Sequence, residues 1–175
     1  MDFINTLIFT LPWPFPLVTI FLLMVLMGIG AYYGKALNFS GTVAAVTTGT
    51  IVFYTLRLEG LFLLFLFFGG GTIIGRISKK KRQVRDKLEI EKKGNRRDWV
   101  QVFANGFMAL IASLLYFTTS NSCALVMFGA AVAEATSDTC SGDIGKLSSK
   151  NPVSIRTFTP VPRGLSGGLT ALGLF

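Results

Sequence analysis

Three carboxylates sit close together in the stretch AEATSDTCSGDIGK, residues Ala133 to Lys146: Glu134, Asp138 and Asp143. They follow directly on the apolar run SCALVMFGAAVA. A carboxylate in lipid costs from about 2.5 kcal/mol upward, so such groups face a cavity or a partner and usually mark function. Carboxylates this close repel unless a cation neutralises them. The apolar run carries no basic residue, and a set of oxygen ligands selects magnesium. Glu134, Asp138 and Asp143 are therefore candidate Mg²⁺ ligands. The alternative is that Glu134 and Asp138 cap the helix end or pair with loop arginines, although acids at a helix C-terminus oppose its macrodipole.

The following loop, GDIGKLSSK, adds Gly142, Gly145, Lys146 and Lys150. Glycines with available N–H groups beside lysines suit phosphate. The spacing is not that of a Walker loop, because the lysine follows a lone glycine. Further on, TFTPVPRGLSGG brings Thr159, Arg163, Gly164, Gly167 and Gly168 before another apolar run. A glycine-rich helix start with an arginine is a second anion site; equally, it is a proline-stiffened turn followed by packing glycines. Upstream, Gln101 and Asn105 stand four residues apart, on one helix face. Asn105 is a candidate to orient a ligand, or else makes a helix–helix hydrogen bond. The chain has no histidine, which removes histidine acid–base chemistry and nearly all zinc hydrolase designs. Cys123 and Cys140, if on one helix, lie about 25 Å apart and cannot form a disulfide.

The elements that must hold these residues are set by composition. The 175 residues have a mean hydropathy of +0.57, are 51% hydrophobic and only 15% charged. Soluble domains carry roughly 25% charge. The expected fold class is all-α: a polytopic transmembrane helical bundle forming a single integral membrane domain over residues 1–175. About five full spans plus a truncated sixth are expected, at about Leu17–Tyr33, Thr42–Leu56, Leu61–Ile74, Trp99–Phe117 and Ser122–Thr139. Arg57 and Glu59 mark the short turn between the second and third. The glycine- and threonine-rich second span should pack on other helices, and the glycines of FFGGGTIIG allow close backbone approach. The start, MDFINTLIFTLPWPFP, is broken by Pro12, Pro14 and Pro16; it is a poor signal peptide and reads as an interfacial segment anchored by Trp13. The closing LSGGLTALGLF is too short to cross a bilayer of roughly 30 Å, which suggests either a truncated chain or a last segment that leans on another element or chain, as in a homo-oligomer.

The net charge is +8, and eleven of the seventeen basic residues fall between Arg76 and Arg97. Such a block can bind nucleic acid. Between apolar segments it instead fixes topology, so no nucleic-acid partner is expected. The positive-inside rule makes the basic loop 76–98 and the polar loop 142–165 cytoplasmic, with the N-terminus outside. The acids of the fifth span and the amides of the fourth would then lie at similar depth near the cytoplasmic face. The setting is the cell membrane, or a plastid membrane in a eukaryote.

Four stretches together resemble a known family: the basic loop, EKKGNRRDWVQVFANG (Glu91 to Gly106), AEATSDTCSGDIGKLS (Ala133 to Ser148) and TFTPVPRGLSGGLTALG (Thr157 to Gly173). It is the multi-pass membrane family that includes plant phytyl-phosphate kinase. That family is distantly similar to dolichol kinase and phosphatidate cytidylyltransferase, which use CTP. Glu134, Asp138, Thr139, Asp143 and Gly145 occupy matching positions of the second motif. Thr159, Pro160, Val161, Gly164, Gly167 and Gly168 match the third, while Arg163 falls where a proline is common. Family members continue with further spans beyond the last motif.

The resemblance implies a lipid kinase in the bilayer, transferring a phosphoryl group from a nucleoside triphosphate, CTP-like, to an isoprenyl phosphate such as phytyl phosphate. Glu134 and Asp138, with Asp143, would hold Mg²⁺. Lys146, Lys150, Arg96 and Arg97 would bind phosphates, with the glycines and Thr159 lining them. Asn105 would orient a ligand or water. The competing expectation is an ion-coupled transporter or a non-catalytic membrane protein, since intramembrane acids also mark ion pathways. Transporters tend to show internal repeats, and none is visible here.

Overall fold

A computed structural model of the chain describes residues 2–85, 96–162 and 167–174. In chain order the described elements are α1 (Asp2–Phe9), α2 (Phe15–Tyr33), α3 (Phe39–Arg85), α4 (Trp99–Thr119), α5 (Ser122–Gly145), the strands β1 (Val153–Ser154) and β2 (Gly168–Leu169), and α6 (Ala171–Leu174). Among the described residues three helices are long and apolar enough to cross a membrane: Phe15–Tyr33, Phe39–Lys81 and Trp99–Thr119. The helical membrane architecture is as expected, and the span count is supported as far as those three. The fifth helix has 24 residues, but its last third is polar.

The expected boundary between the second and third spans lies inside α3. Arg57, at φ 55° and ψ −152°, breaks the helical path there. Beyond the kink the helix runs past the expected end at Ile74 and on to Arg85. Lysine and arginine are good helix formers, so the basic run prolongs the helix instead of ending it. By packing, the chain forms two compact units: Met1–Phe67 with Lys93–Ala133, and Phe68–Lys92 with Glu134–Phe175.

In the first unit, α2 meets the first part of α3 through small residues. A Cβ on Gly28 would lie 2.5 Å from Val46 Cγ2, and one on Gly49 would lie 3.0 Å from the Met24 sulfur. One core gathers Ile8, Ile20, Met24, Phe53 and Leu61; another gathers Val52, Leu56, Ala109, Ala112, Phe128 and Val132. Acyl chains are as apolar as leucine, so close packing at small residues such as Ala109 and Ala112 carries helix association. Three threonines of α3 satisfy themselves within the helix. Thr47, Thr50 and Thr55 each donate to the carbonyl four residues back, at 2.7–2.9 Å, so these hydroxyls need no partner from lipid.

Two polar fastenings complete this unit. At the kink, Asn5 of α1 is 4% exposed. Its Oδ1 accepts the Leu58 N–H at 3.2 Å, and its Nδ2 donates to both Glu59 carboxylate oxygens at 3.1 and 3.2 Å. Thus the segment expected at the interface contains a helix, α1, that also caps the broken α3. Near the starts of α3 and α4, the Arg97 N–H donates to Ala36 O and the Asn38 N–H donates to Arg97 O, both at 3.0 Å. Asn38 Oδ1 then accepts the Gly41 N–H at 2.8 Å, and a Cβ on Gly41 would collide with the Arg97 carbonyl. Asp98 starts α4 with a reciprocal capping box to Gln101.

In the second unit, the continuation of α3 packs on the end of α5. The ribbon is antiparallel, with Val153 opposite Leu169 and Ser154 opposite Gly168. Two-residue strands carry no alternating pattern, so the segment reads from sequence only as a polar loop.

Candidate functional site

The helix of α5 continues through Glu134 between Ala133 and Ala135, and alanine has the highest helix propensity; it then runs on past Asp138 and Asp143 to Gly145. In this stretch Ala135 is buried at 2% exposure, whereas Glu134 and Asp138 are exposed. Four residues apart, they share one face of the helix. Neither carboxylate has a hydrogen bond or ion pair among the described residues. The expected cap or arginine partner is therefore not seen there.

Asp143, one turn further, has a different environment. Its carboxylate accepts from Lys146 Nζ at 3.2 Å. On the other side it lies against α3, where a Cβ on Gly75 would be 2.9 Å from Oδ2. Ser78, 2% exposed, donates its hydroxyl to the Asp143 carbonyl at 2.6 Å. The close approach expected of the FFGGGTIIG glycines is realised at Gly75; Cβ atoms on Gly69 and Gly70 would meet nothing within 4 Å. Ser78 is a supporting residue hidden from sequence reasoning, since a serine among lysines and arginines reads as solvated.

No three His, Cys, Asp or Glu side chains among the described residues gather as a metal cluster would require. Glu134 and Asp138 form a two-carboxylate edge, and Asp143 is engaged with Lys146 rather than joined to them. The donor set still fits magnesium in its usual protein setting, where one or two carboxylates hold the ion and water and substrate phosphates complete the shell.

The glycines divide by role. Gly142 is open, with nothing within 4 Å of a Cβ. Gly145 is packed: a Cβ there would lie 3.2 Å from Gly173 Cα, and its carbonyl accepts from Thr170 Oγ1 at 3.1 Å. Gly167 has φ +82°, a left-handed conformation suited to glycine, and its carbonyl accepts the Ile155 N–H at 3.0 Å. Gly168 pairs in the ribbon. Thr159 contacts Thr157 hydroxyl to hydroxyl at 2.8 Å, and its carbonyl accepts the Ser154 N–H. Lys150 extends the loop with its N–H on Ser148 Oγ at 3.2 Å. Arg163 and Gly164 lie outside the described residues, as do residues 86–95 of the basic loop.

Arg96, Arg97 and Asn105 belong to the first unit. The Arg96 guanidinium sits over the Tyr32 ring at 5.5 Å, and that of Arg97 over Phe67 at 5.7 Å. Asn105 is half-buried on α4, and its side chain makes no hydrogen bond among the described residues. Gln101, its expected companion, is committed to the α4 cap.

Known proteins are similar to this chain in sequence. An uncharacterized membrane protein of Methanocaldococcus jannaschii is 30% identical over 139 residues, covering 79% of this chain and 56% of the relative. Protein PGR of Arabidopsis thaliana is 29% identical over 175 residues, covering 91% and 59%. An uncharacterized membrane protein of Synechocystis is 26% identical over 128 residues, covering 71% and 49%. The chain thus spans about half the length of the curated relatives it matches. No solved structure matches. The family described as integral membrane protein DUF92 matches residues 22–175, and the chain, with its apolar helices and acid-bearing α5, belongs to that family.

Proposed function

We propose that the end of α5 and the loop after it handle the phosphates of a lipid kinase that works in the bilayer. The reaction is phosphoryl transfer from a nucleoside triphosphate, CTP-like, to an isoprenyl phosphate such as phytyl phosphate. A phosphate oxygen of the lipid attacks the γ-phosphorus, the bond to the nucleoside diphosphate breaks, and a prenyl diphosphate results. Such transfer needs positioning and charge stabilisation more than covalent chemistry, so the lack of histidine is no obstacle.

The observation that supports this reading is the Glu134–Asp138 edge, exposed and without partners among the described residues, on a helix that is otherwise apolar for most of its length. Mg²⁺ bound there would supply the positive charge that bridges phosphates. Asp143 holds Lys146 at the end of the same helix. Lys146 and Lys150 contribute cations, and open Gly142 lets a phosphate approach the backbone. The roles of Arg96, Arg97 and Asn105 rest on the sequence resemblance of Glu91 to Gly106.

The test is direct. Purified protein is supplied with phytyl phosphate, Mg²⁺ and CTP or ATP labelled at the γ-phosphate. Labelled prenyl diphosphate is the expected product. No labelled lipid with any triphosphate and prenyl phosphate pair would end the kinase reading.

A further inference from the structure

The turn of residues 154–159, just after β1, presents apolar side chains in a segment otherwise polar. Phe158 is 80% exposed and Ile155 is 60% exposed. Phe158 also adopts φ 54°, a left-handed conformation that is an outlier for a bulky residue and persists only where the surroundings enforce it. Ser154 does the enforcing. Its N–H donates to Thr159 O at 2.9 Å, its carbonyl accepts the Phe158 N–H at 2.8 Å, and its hydroxyl accepts the Arg156 and Thr157 N–H groups at 3.3 and 3.4 Å. The Ile155 N–H is fixed on Gly167 O. A built turn therefore holds an aromatic ring outward. Along the chain beside it the unpaired charge has one sign: Lys150 and Arg156 are the charged residues among those described from 147 to 174. Neither Lys150 nor Arg156 has an ion pair among the described residues.

We propose that this turn inserts Phe158 and Ile155 into the headgroup layer of an anionic membrane surface, with Lys150 and Arg156 on the lipid phosphates. Aromatic rings favour the membrane–water interface, and basic residues are drawn to anionic lipid. Charge complementarity selects this occupant over a neutral or basic protein surface. The proposal does not depend on the kinase reading.

Phe158→Trp in a full-length Trp13→Phe/Trp99→Phe background is reconstituted in phosphatidylcholine vesicles with or without phosphatidylglycerol, using brominated acyl chains as quencher. Ile155→Trp is a second reporter that leaves the residue-158 backbone untouched. The expected result is a blue shift and a loss of emission on brominated lipid, larger with phosphatidylglycerol and diminished by Lys150→Gln/Arg156→Gln. Emission typical of water from both reporters overturns the proposal. So does quenching indifferent to phosphatidylglycerol. Shielding that follows protein density instead of lipid composition assigns the tip to a second copy and overturns it as well.

Discussion

Asn5 and Glu134 are both polar side chains set among apolar neighbours, yet their surroundings differ in kind. Asn5 is matched at both ends of its amide: it bonds Glu59 and the Leu58 N–H at the point where α3 breaks. A buried donor or acceptor left unmatched is expensive, so a polar residue that serves folding brings its partner with it. At the end of α5, Glu134 and Asp138 are exposed and unmatched among the described residues. An acid that folding does not use is available to a ligand. Asp143 stands between the two cases, tied to Lys146 and wedged against Gly75 but still half-buried.

The largest expected effect falls on the α5 side. Asp138→Asn should lower kinase turnover by roughly 10²-fold or more, as loss of a charge-stabilising group does. Its melting temperature in detergent should hold, since exposed substitutions stay within about 0.5 kcal/mol. Undiminished turnover would put Asp138 on the structural side of the comparison. Asn5→Ala should act the opposite way. It strands the Leu58 N–H and Glu59, and should reduce unfolding stability by about 1–3 kcal/mol; an unchanged denaturation midpoint would show that the kink holds without its cap. Gly75→Ala sharpens the middle case. The new methyl presses on the Asp143 carboxylate, with a stability loss of about 1–3 kcal/mol expected. If stability drops while turnover per folded molecule stays whole, Asp143 belongs with Asn5. The smallest effect is Asp98→Ala, where loss of the α4 cap should cost about 1 kcal/mol in the same denaturation assay.

What the sequence revealed followed from chemistry that acts locally. Apolar runs and prolines located α2 and α4 within two residues of their observed ends. Arg57 and Glu59 marked the break in α3, because charges rarely interrupt lipid-facing helix without a turn. Features that depend on distant partners were not legible. Asn5 looked like one polar residue in an interfacial strip, and only its contact with residues more than fifty positions away makes it a cap. Ser78 and the packing role of Gly145 against Gly173 were hidden for the same reason. Helix ends at Arg85 and Gly145 are not legible from the apolar runs, because apolar character and helicity stop at different residues. At the candidate site, the shared face of Glu134 and Asp138 was readable from spacing alone, but the commitment of Asp143 to Lys146 and of Gln101 to the α4 cap was not.

The seam joining Ala36 and Asn38 to Arg97 is made of main-chain groups, so side-chain identity at Ala36 can drift through evolution without loosening it. Two kinds of change are barred. Proline at position 38 or 97 deletes a donor, and any side chain at Gly41 strikes the Arg97 carbonyl. A saturation library read out by membrane accumulation should therefore show broad tolerance at position 36 beside near-complete intolerance at position 41.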